Sequence, residues 1–142
     1  MKRRNFVRAT TAAVTTGVIL PVTAIGRSGD REQDTQDRMI NHYVLFWLKK
    51  TLNRDEKEAF TGFFDLLRKV PGIRSFYYGG PADSKDREVV DNSFDYNLMI
   101  QFDSLEALEV YGVHPLHMEA IEQYGHYWEK VTVHDSVLEA VK

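Results

Sequence analysis

The amino-acid sequence predicts an α+β fold, one antiparallel four-stranded sheet with helices packed on it. Strand-like and helix-like segments follow one another as strand, helix, strand, strand, helix, strand. They occupy about 100 residues, room for one hydrophobic core and no second one. The first strand segment is also apolar on both of its alternating faces, the mark of a strand covered on both sides.

That strand is residues 42–48 (HYVLFWL), and its pattern makes it central. Asn53 then caps a helix, with Glu56 three residues on to complete a capping box. Ala59, Phe60, Phe63, Phe64, Leu67 and Val70 fall on one helical stripe until Pro71-Gly72 stops it. Residues 73–78 read as the second strand, ended by Gly79-Gly80-Pro81. A polar loop, 82–93, leads to the third strand at 96–102 (YNLMIQF). Ser104 caps a helix containing Leu105, Leu108 and Tyr111. Gly112 loosens that helix, and His114-Pro115 starts another segment with proline at its first position, where its missing N–H leaves no bond unmade. Met118, Ile121 and Tyr124, spaced by three, are expected on its buried side. Residues 131–137 (VTVHDSV) close the sheet.

This βαββαβ order is the ferredoxin-like split βαβ plan, with the helices on one face of the sheet. Strands apolar on both faces need a cover for the other face. A second copy of the chain is the simplest one, two sheets closing as a dimeric α/β barrel. The expected partner is therefore the chain itself.

The composition narrows the function. With no cysteine in 142 residues, disulfides, iron–sulfur clusters, thiolate zinc sites and cysteine nucleophiles are excluded. Lys+Arg 18 against Asp+Glu 21 argues against a nucleic-acid binder, which needs surplus cations for phosphate. That balance averages two different sequences. Residues 1–26 hold no acidic residue and four basic ones, Lys2, Arg3, Arg4 and Arg8, followed by a mildly apolar run at 9–25. The layout is that of an export signal, and Arg3-Arg4-Asn5-Phe6-Val7-Arg8 resembles the twin-arginine type. A bilayer span needs about 20 predominantly apolar residues; this run is shorter and threonine-rich, so no span is expected once the signal is removed. Val22-Thr23-Ala24 offers a cleavage site. Residues 27–38 (RSGDREQDTQDR) lack large apolar side chains and read as a polar linker, leaving 39–142 as the folded domain. Taking 4 from 18 leaves 14 basic against 21 acidic residues, a net −7 for an exported, periplasmic or envelope protein.

Within the domain, His42 leads the first strand and Pro71-Gly72-Ile73 joins helix to second strand. Phe102-Asp103-Ser104-Leu105-Glu106-Ala107-Leu108 passes from strand to helix, and Tyr111 precedes His114-Pro115-Leu116-His117 by three. In these features the sequence resembles the stress-responsive dimeric α/β-barrel (Dabb) family over essentially the whole folded part. The resemblance implies the barrel dimer independently of the pattern of the strands. It also implies candidate residues. In a plant polyketide cyclase of similar fold and motif, a tyrosine and the second histidine of HPxH carry an intramolecular aldol closure; these positions are Tyr111 and His117. Its strand-one pocket histidine corresponds to His42. Two pocket positions depart, with Phe63 where that enzyme has tyrosine and Tyr96 where it has histidine.

His117 is suited to general-base work near neutral pH and Tyr111 to hydrogen-bonding a developing oxyanion. The Gly112 and Pro115 break means that no single helix face unites them, so only the resemblance places them together. The competing reading makes both satisfied polar groups that hold the helix junction. The remaining pocket candidates are His42, Phe63, Tyr96 and His114, the last equally suited to capping the helix that Pro115 begins. No cofactor is expected: His114 and His117 lack a third metal ligand at recognisable spacing, which weakens a haem or metal reading. Asp83, Asp86 and Asp91 lack the regular calcium-loop spacing and read as a solvated loop. Three readings follow: an exported, homodimeric Dabb-type barrel of no specified reaction with a pocket for a small apolar or aromatic molecule, a lyase or cyclase acting on an aromatic or polyketide-like compound through His117 and Tyr111, and a haem or small-ligand binder.

Overall fold

A computed structural model describes residues 38–141. The export segment at 1–26 and all of the 27–38 linker but its last residue lie outside the described residues. Arg38 itself opens the first strand and pairs with Glu139. The elements are β1 (Arg38–Leu48), α1 (Arg54–Ala59), α2 (Gly62–Leu67), β2 (Ser75–Gly79), β3 (Tyr96–Phe102), α3 (Leu105–Gly112), α4 (Pro115–Tyr124) and β4 (Trp128–Glu139). The sheet order is β2-β3-β1-β4, antiparallel throughout, so β1 is central as its double-sided pattern requires.

Residues paired across antiparallel strands share a face. Val44 pairs with Leu98 and Val133, and Phe46 with Tyr96 and Val131. This face carries the helices. Val44, Phe46, Leu48, Leu98, Ile100 and Phe102 are buried there against Phe60, Phe63, Phe64 and Leu67. The alternate residues, Tyr43, Leu45, Trp47 and Met99, are half-buried on a face over which no described helix packs. At its end Trp47 donates to Ser93 Oγ at 3.0 Å and lies under Lys130 Nζ, 4.0 Å from the ring centre. No helix among the described residues is long and apolar enough to cross a membrane.

The first helical stripe is two short helices rather than one. Its N-terminus has the expected reciprocal cap, with Asn53 Oδ1 accepting from the Glu56 N–H and Glu56 Oε2 accepting from the Asn53 N–H. The break falls at Phe60-Thr61, where backbone bonds tighten to the three-residue span (Thr61 N–H to Glu58, Phe63 N–H to Phe60) and Thr61 Oγ1 also donates to the Glu58 carbonyl. Such side-chain bonding to the preceding turn competes with the α ladder. The break sets α2 against α4 so closely that the Tyr124 ring occupies the space a Cβ on Gly62 would need. Phe60, Phe63, Phe64, Leu67 and Val70 are buried as the stripe requires, whereas Ala59 is exposed. Gly72, at φ +86°, makes the left-handed turn into β2.

On α4 the expected buried side is displaced. Ala120 is buried, and Leu116 and Tyr124 pack on the core, but Met118 is exposed and Ile121 partly so. A helix lying near the sheet edge has a narrow covered stripe, and Met118 and Ile121 fall at its margin. β4 runs longer than its apolar alternation, because the β1 ladder carries it from Trp128 to Glu139.

Candidate functional site

Tyr111 and His117 do converge, and the helix break between them is the reason. α3 ends at Gly112, Val113 leaves the helix, and His114 adopts extended backbone (φ −66°, ψ 139°) before α4 starts at Pro115. The corner turns the first turn of α4 back over the last turn of α3. The Tyr111 and His117 rings meet edge to face, 4.7 Å between centroids. Tyr111 is also in contact with Phe102 of β3 at 5.2 Å and His42 of β1 at 5.9 Å.

These groups stand around a cavity of ≈ 210 Å³ between sheet and helices. Its walls are His42, Val44 and Phe46 of β1, Phe63 and Leu67 of α2, and Val131 and Val133 of β4; Ile121 and Trp128 also line it. The lining is apolar apart from the two imidazoles and the phenol. Two polar atoms in it, the Tyr111 hydroxyl and His117 Nδ1, are buried with no hydrogen-bond partner among the described residues. Leaving a buried polar group unmatched costs about 1–3 kcal/mol, so the pair is not explained as a satisfied structural junction.

Burial holds the Tyr111 phenol far above the ordinary tyrosine range, so it stays a hydrogen-bond donor. Burial, with the His42 imidazole nearby, holds His117 below the ordinary histidine value; the Gly112 backbone pulls the other way and His114 adds slightly to the depression. His117 is therefore neutral at pH 7 and able to take a proton.

The sequence candidates separate into two groups. Tyr111, His117, His42 and Phe63 line the one cavity. His114 and Tyr96 do not. His114 is a helix cap, its Nδ1 accepting from the Leu116 N–H at 3.2 Å. Tyr96 lies four residues along β3 from Ile100, which pairs with His42, among Phe60 and Phe64, and its hydroxyl donates to the Lys57 carbonyl at 3.4 Å. The pocket departure at Tyr96 is thus a change in the packed core, not in the cavity wall.

Sequence reasoning missed Asp135. Its Oδ1 lies 2.7 Å from His42 Nδ1, with the His42 side chain only 14% exposed. A carboxylate accepts only, so Nδ1 carries a proton and donates it to Asp135, which fixes the orientation of the ring. The signal was a charged residue falling in the Val131, Val133, Val137 alternation. Reading it as a partner of His42, 93 residues away, requires the β1–β4 register. Among the described residues, no group of three or more His, Asp or Glu could hold a metal ion.

Comparison with known proteins agrees with this architecture. The chain is 24% identical over 97 residues to olivetolic acid cyclase of Cannabis sativa, covering 68% of this chain and 93% of that enzyme. A dimeric ferredoxin-like protein of unknown function from Jannaschia superposes with a TM-score of 0.54 at 25% identity, over 72% of this chain and 99% of the other. The hydroxynitrile lyase of Passiflora edulis superposes with a TM-score of 0.62 at 15% identity, over 75% and 98%. The model of the Stress responsive A/B Barrel Domain, Dabb, matches residues 40–138, and the chain belongs to that family.

Proposed function

We propose that the cavity binds a small, neutral, oxygen-bearing ring compound and that the protein is a lyase or cyclase acting on it by proton transfer. The observation that carries this is the pair of unpartnered polar atoms, the Tyr111 hydroxyl and His117 Nδ1, on the wall of an otherwise apolar cavity. An apolar cavity of about 150 Å³ holds a benzene, so ≈ 210 Å³ suits one ring with short substituents. In the reaction, neutral His117 removes a proton from a carbon next to a carbonyl, while Tyr111 donates to the oxygen that gains the charge. The carbanion equivalent then closes on a second carbonyl of the same molecule, and His117 returns the proton to the new alkoxide. The reverse sequence cleaves the bond. Olivetolic acid cyclase and the Passiflora hydroxynitrile lyase support both directions as chemistry for proteins of this shape.

The test is turnover of small aromatic β-dicarbonyl compounds and aromatic cyanohydrins. His117→Ala is expected to lower the rate by about 10² or more. An unchanged rate in that variant, or no binding of benzaldehyde or phenol to the unaltered protein by calorimetry, overturns the reading.

We also propose that the protein self-associates through the helix-free face of the sheet, supported by the half-buried Tyr43, Leu45, Trp47 and Met99 there and by the dimeric Jannaschia protein. Export is supported by the twin-arginine-type opening of the sequence alone. Secretion of a reporter fused to residues 1–26, abolished by Arg3→Lys with Arg4→Lys, is the expected result.

A further inference from the structure

Two imidazoles line the cavity, and the fold treats them oppositely. His117 comes from α4 and His42 from β1, and the Tyr111 ring meets both, at 4.7 and 5.9 Å. His117 Nδ1 has no partner among the described residues, whereas His42 Nδ1 donates to Asp135 Oδ1 at 2.7 Å.

The second arrangement is built into the sheet. His42 and Asp135 are register partners on β1 and β4, which puts their side chains directly opposite and within reach. Asp135 interrupts an alternation that is otherwise valine, at Val131, Val133 and Val137. Its side chain is half exposed while that of His42 is mostly covered, so the pair runs from the cavity wall to solvent.

A carboxylate at that distance is a counter-ion for an imidazolium. His117 has no ion-pair partner among the described residues. Two positive rings beside one phenol repel, and His42 is one of the groups that hold His117 below the ordinary histidine value. A single proton added to the two rings therefore rests on His42, and His117 is left as a base. Groups whose surroundings separate them in this way form an acid and a base. Because Nδ1 is committed to Asp135, the proton that His42 can give is the one on Nε2.

We propose that His42, positioned by Asp135, is the general acid opposite His117, and that the cavity eliminates water from β-hydroxy ketones that carry one ring. This rests on the lyase or cyclase reading and adds a second acid, a second step and the substrate class of that step. His117 takes the hydrogen from the carbon between the carbonyl and the hydroxyl-bearing carbon, and Tyr111 donates to the carbonyl oxygen. The electron pair of the broken C–H bond becomes a C=C bond as the C–O bond breaks. The leaving hydroxyl takes the Nε2 proton of His42 and departs as water. Water carries the proton gained by His117 back to Nε2 of His42, which closes the balance.

The test follows the aldol of benzaldehyde and acetone, which can be divided two ways. Carbon–carbon cleavage releases benzaldehyde and uses His117 and Tyr111. Loss of water gives benzylideneacetone and uses His42 as well. The unaltered protein is expected to give both products. The ratio of benzylideneacetone to benzaldehyde should fall about 10²-fold or more in His42→Gln and about tenfold or more in Asp135→Asn, while His117→Ala slows both reactions. In the unaltered protein, dehydration should lose rate on the alkaline side, as His42 gives up its proton, and cleavage should not. The titratable groups facing His42 are Asp135 of β4, Tyr111 of α3 and His117 of α4, and Tyr111 keeps its proton because burial holds it far above the ordinary tyrosine range. That profile decides the matter if neither variant folds. An unchanged product ratio in both variants, or the same alkaline profile for both products, overturns the proposal. A ratio that moves in His42→Gln alone overturns the role of Asp135. Benzaldehyde without benzylideneacetone overturns the proposal and leaves the lyase reading standing, whereas absence of both products overturns the two together.

Discussion

The two ends of the layer between sheet and helices are packed alike and satisfied differently. At one end Phe46, Phe60, Phe63, Phe64 and Tyr96 meet with ring centroids 5.3–6.0 Å apart, mostly edge to face. The one phenol in that group, Tyr96, finds the Lys57 carbonyl. At the other end His42, Phe102, Tyr111 and His117 make the same kind of edge contacts at 4.7–5.9 Å. There two polar atoms find no partner among the described residues. Aromatic clustering by itself therefore says little about function. What separates the ends is whether the fold has matched its buried polar groups, and the proposed site lies at the end where it has not.

The difference is sharpest in what each end contributes to stability. Phe64 is fully buried, stacked on Tyr78 at 4.2 Å and edge-on to Phe60 at 5.3 Å. Phe64→Ala is expected to destabilise the protein by about 3–5 kcal/mol, measured as a fall in the denaturant midpoint. A loss below about 1 kcal/mol would mean that this end is no better packed than a surface and would dissolve the contrast. The joint between the ends is tested by Gly62→Ala. Its methyl meets the Tyr124 ring from α4, and overpacking of this kind costs about 1–3 kcal/mol. Recovery of that loss by adding Tyr124→Phe would assign it to the hydroxyl that crowds Gly62.

These positions also show what was legible in the sequence. β3 runs over the residues its alternation marks, and Ser104 and His114 cap the helices they precede, because those signals are local. The break at Phe60-Thr61 was hidden because the apolar stripe runs through it unbroken, and the Thr61 hydroxyl's bond to the Glu58 carbonyl leaves no mark in that pattern. Tyr111 and His117 were legible as residues but not as a pair, since only the path of the chain through Val113 and His114 brings their rings together. Asp135 was silent for the same reason: its meaning comes from a register between β1 and β4. Tyr96 misled because a family position names a strand location, and at this location the chain has packed a ring into its core.

Tyr111→Phe probes the unmatched end. Removing a buried hydroxyl that has no partner is expected to leave stability unchanged or to raise it by about 1 kcal/mol, whereas turnover falls. A loss above about 1 kcal/mol would show that the hydroxyl is bonded in solution and would return Tyr111 to a structural role.

The smallest expected effect is the most specific to His117. Its folded-state value lies below the ordinary histidine value of 6.5, chiefly through burial. As pH falls below 6.5, the unfolded chain takes up a proton at this site before the folded protein does. Stability attributable to His117 is thus fully present above 6.5 and is lost as pH falls through the folded value. Going from about pH 7.5 to about pH 5.5, the unaltered protein should lose more stability than His117→Gln, with His42 and His114 present in both. The same protonation removes the base, so the acid limb of the rate profile must also fall below 6.5. A limb above 6.5, with the stability difference in place, would assign proton transfer to another group in the cavity, and His42, oriented by Asp135, is the one placed to take it.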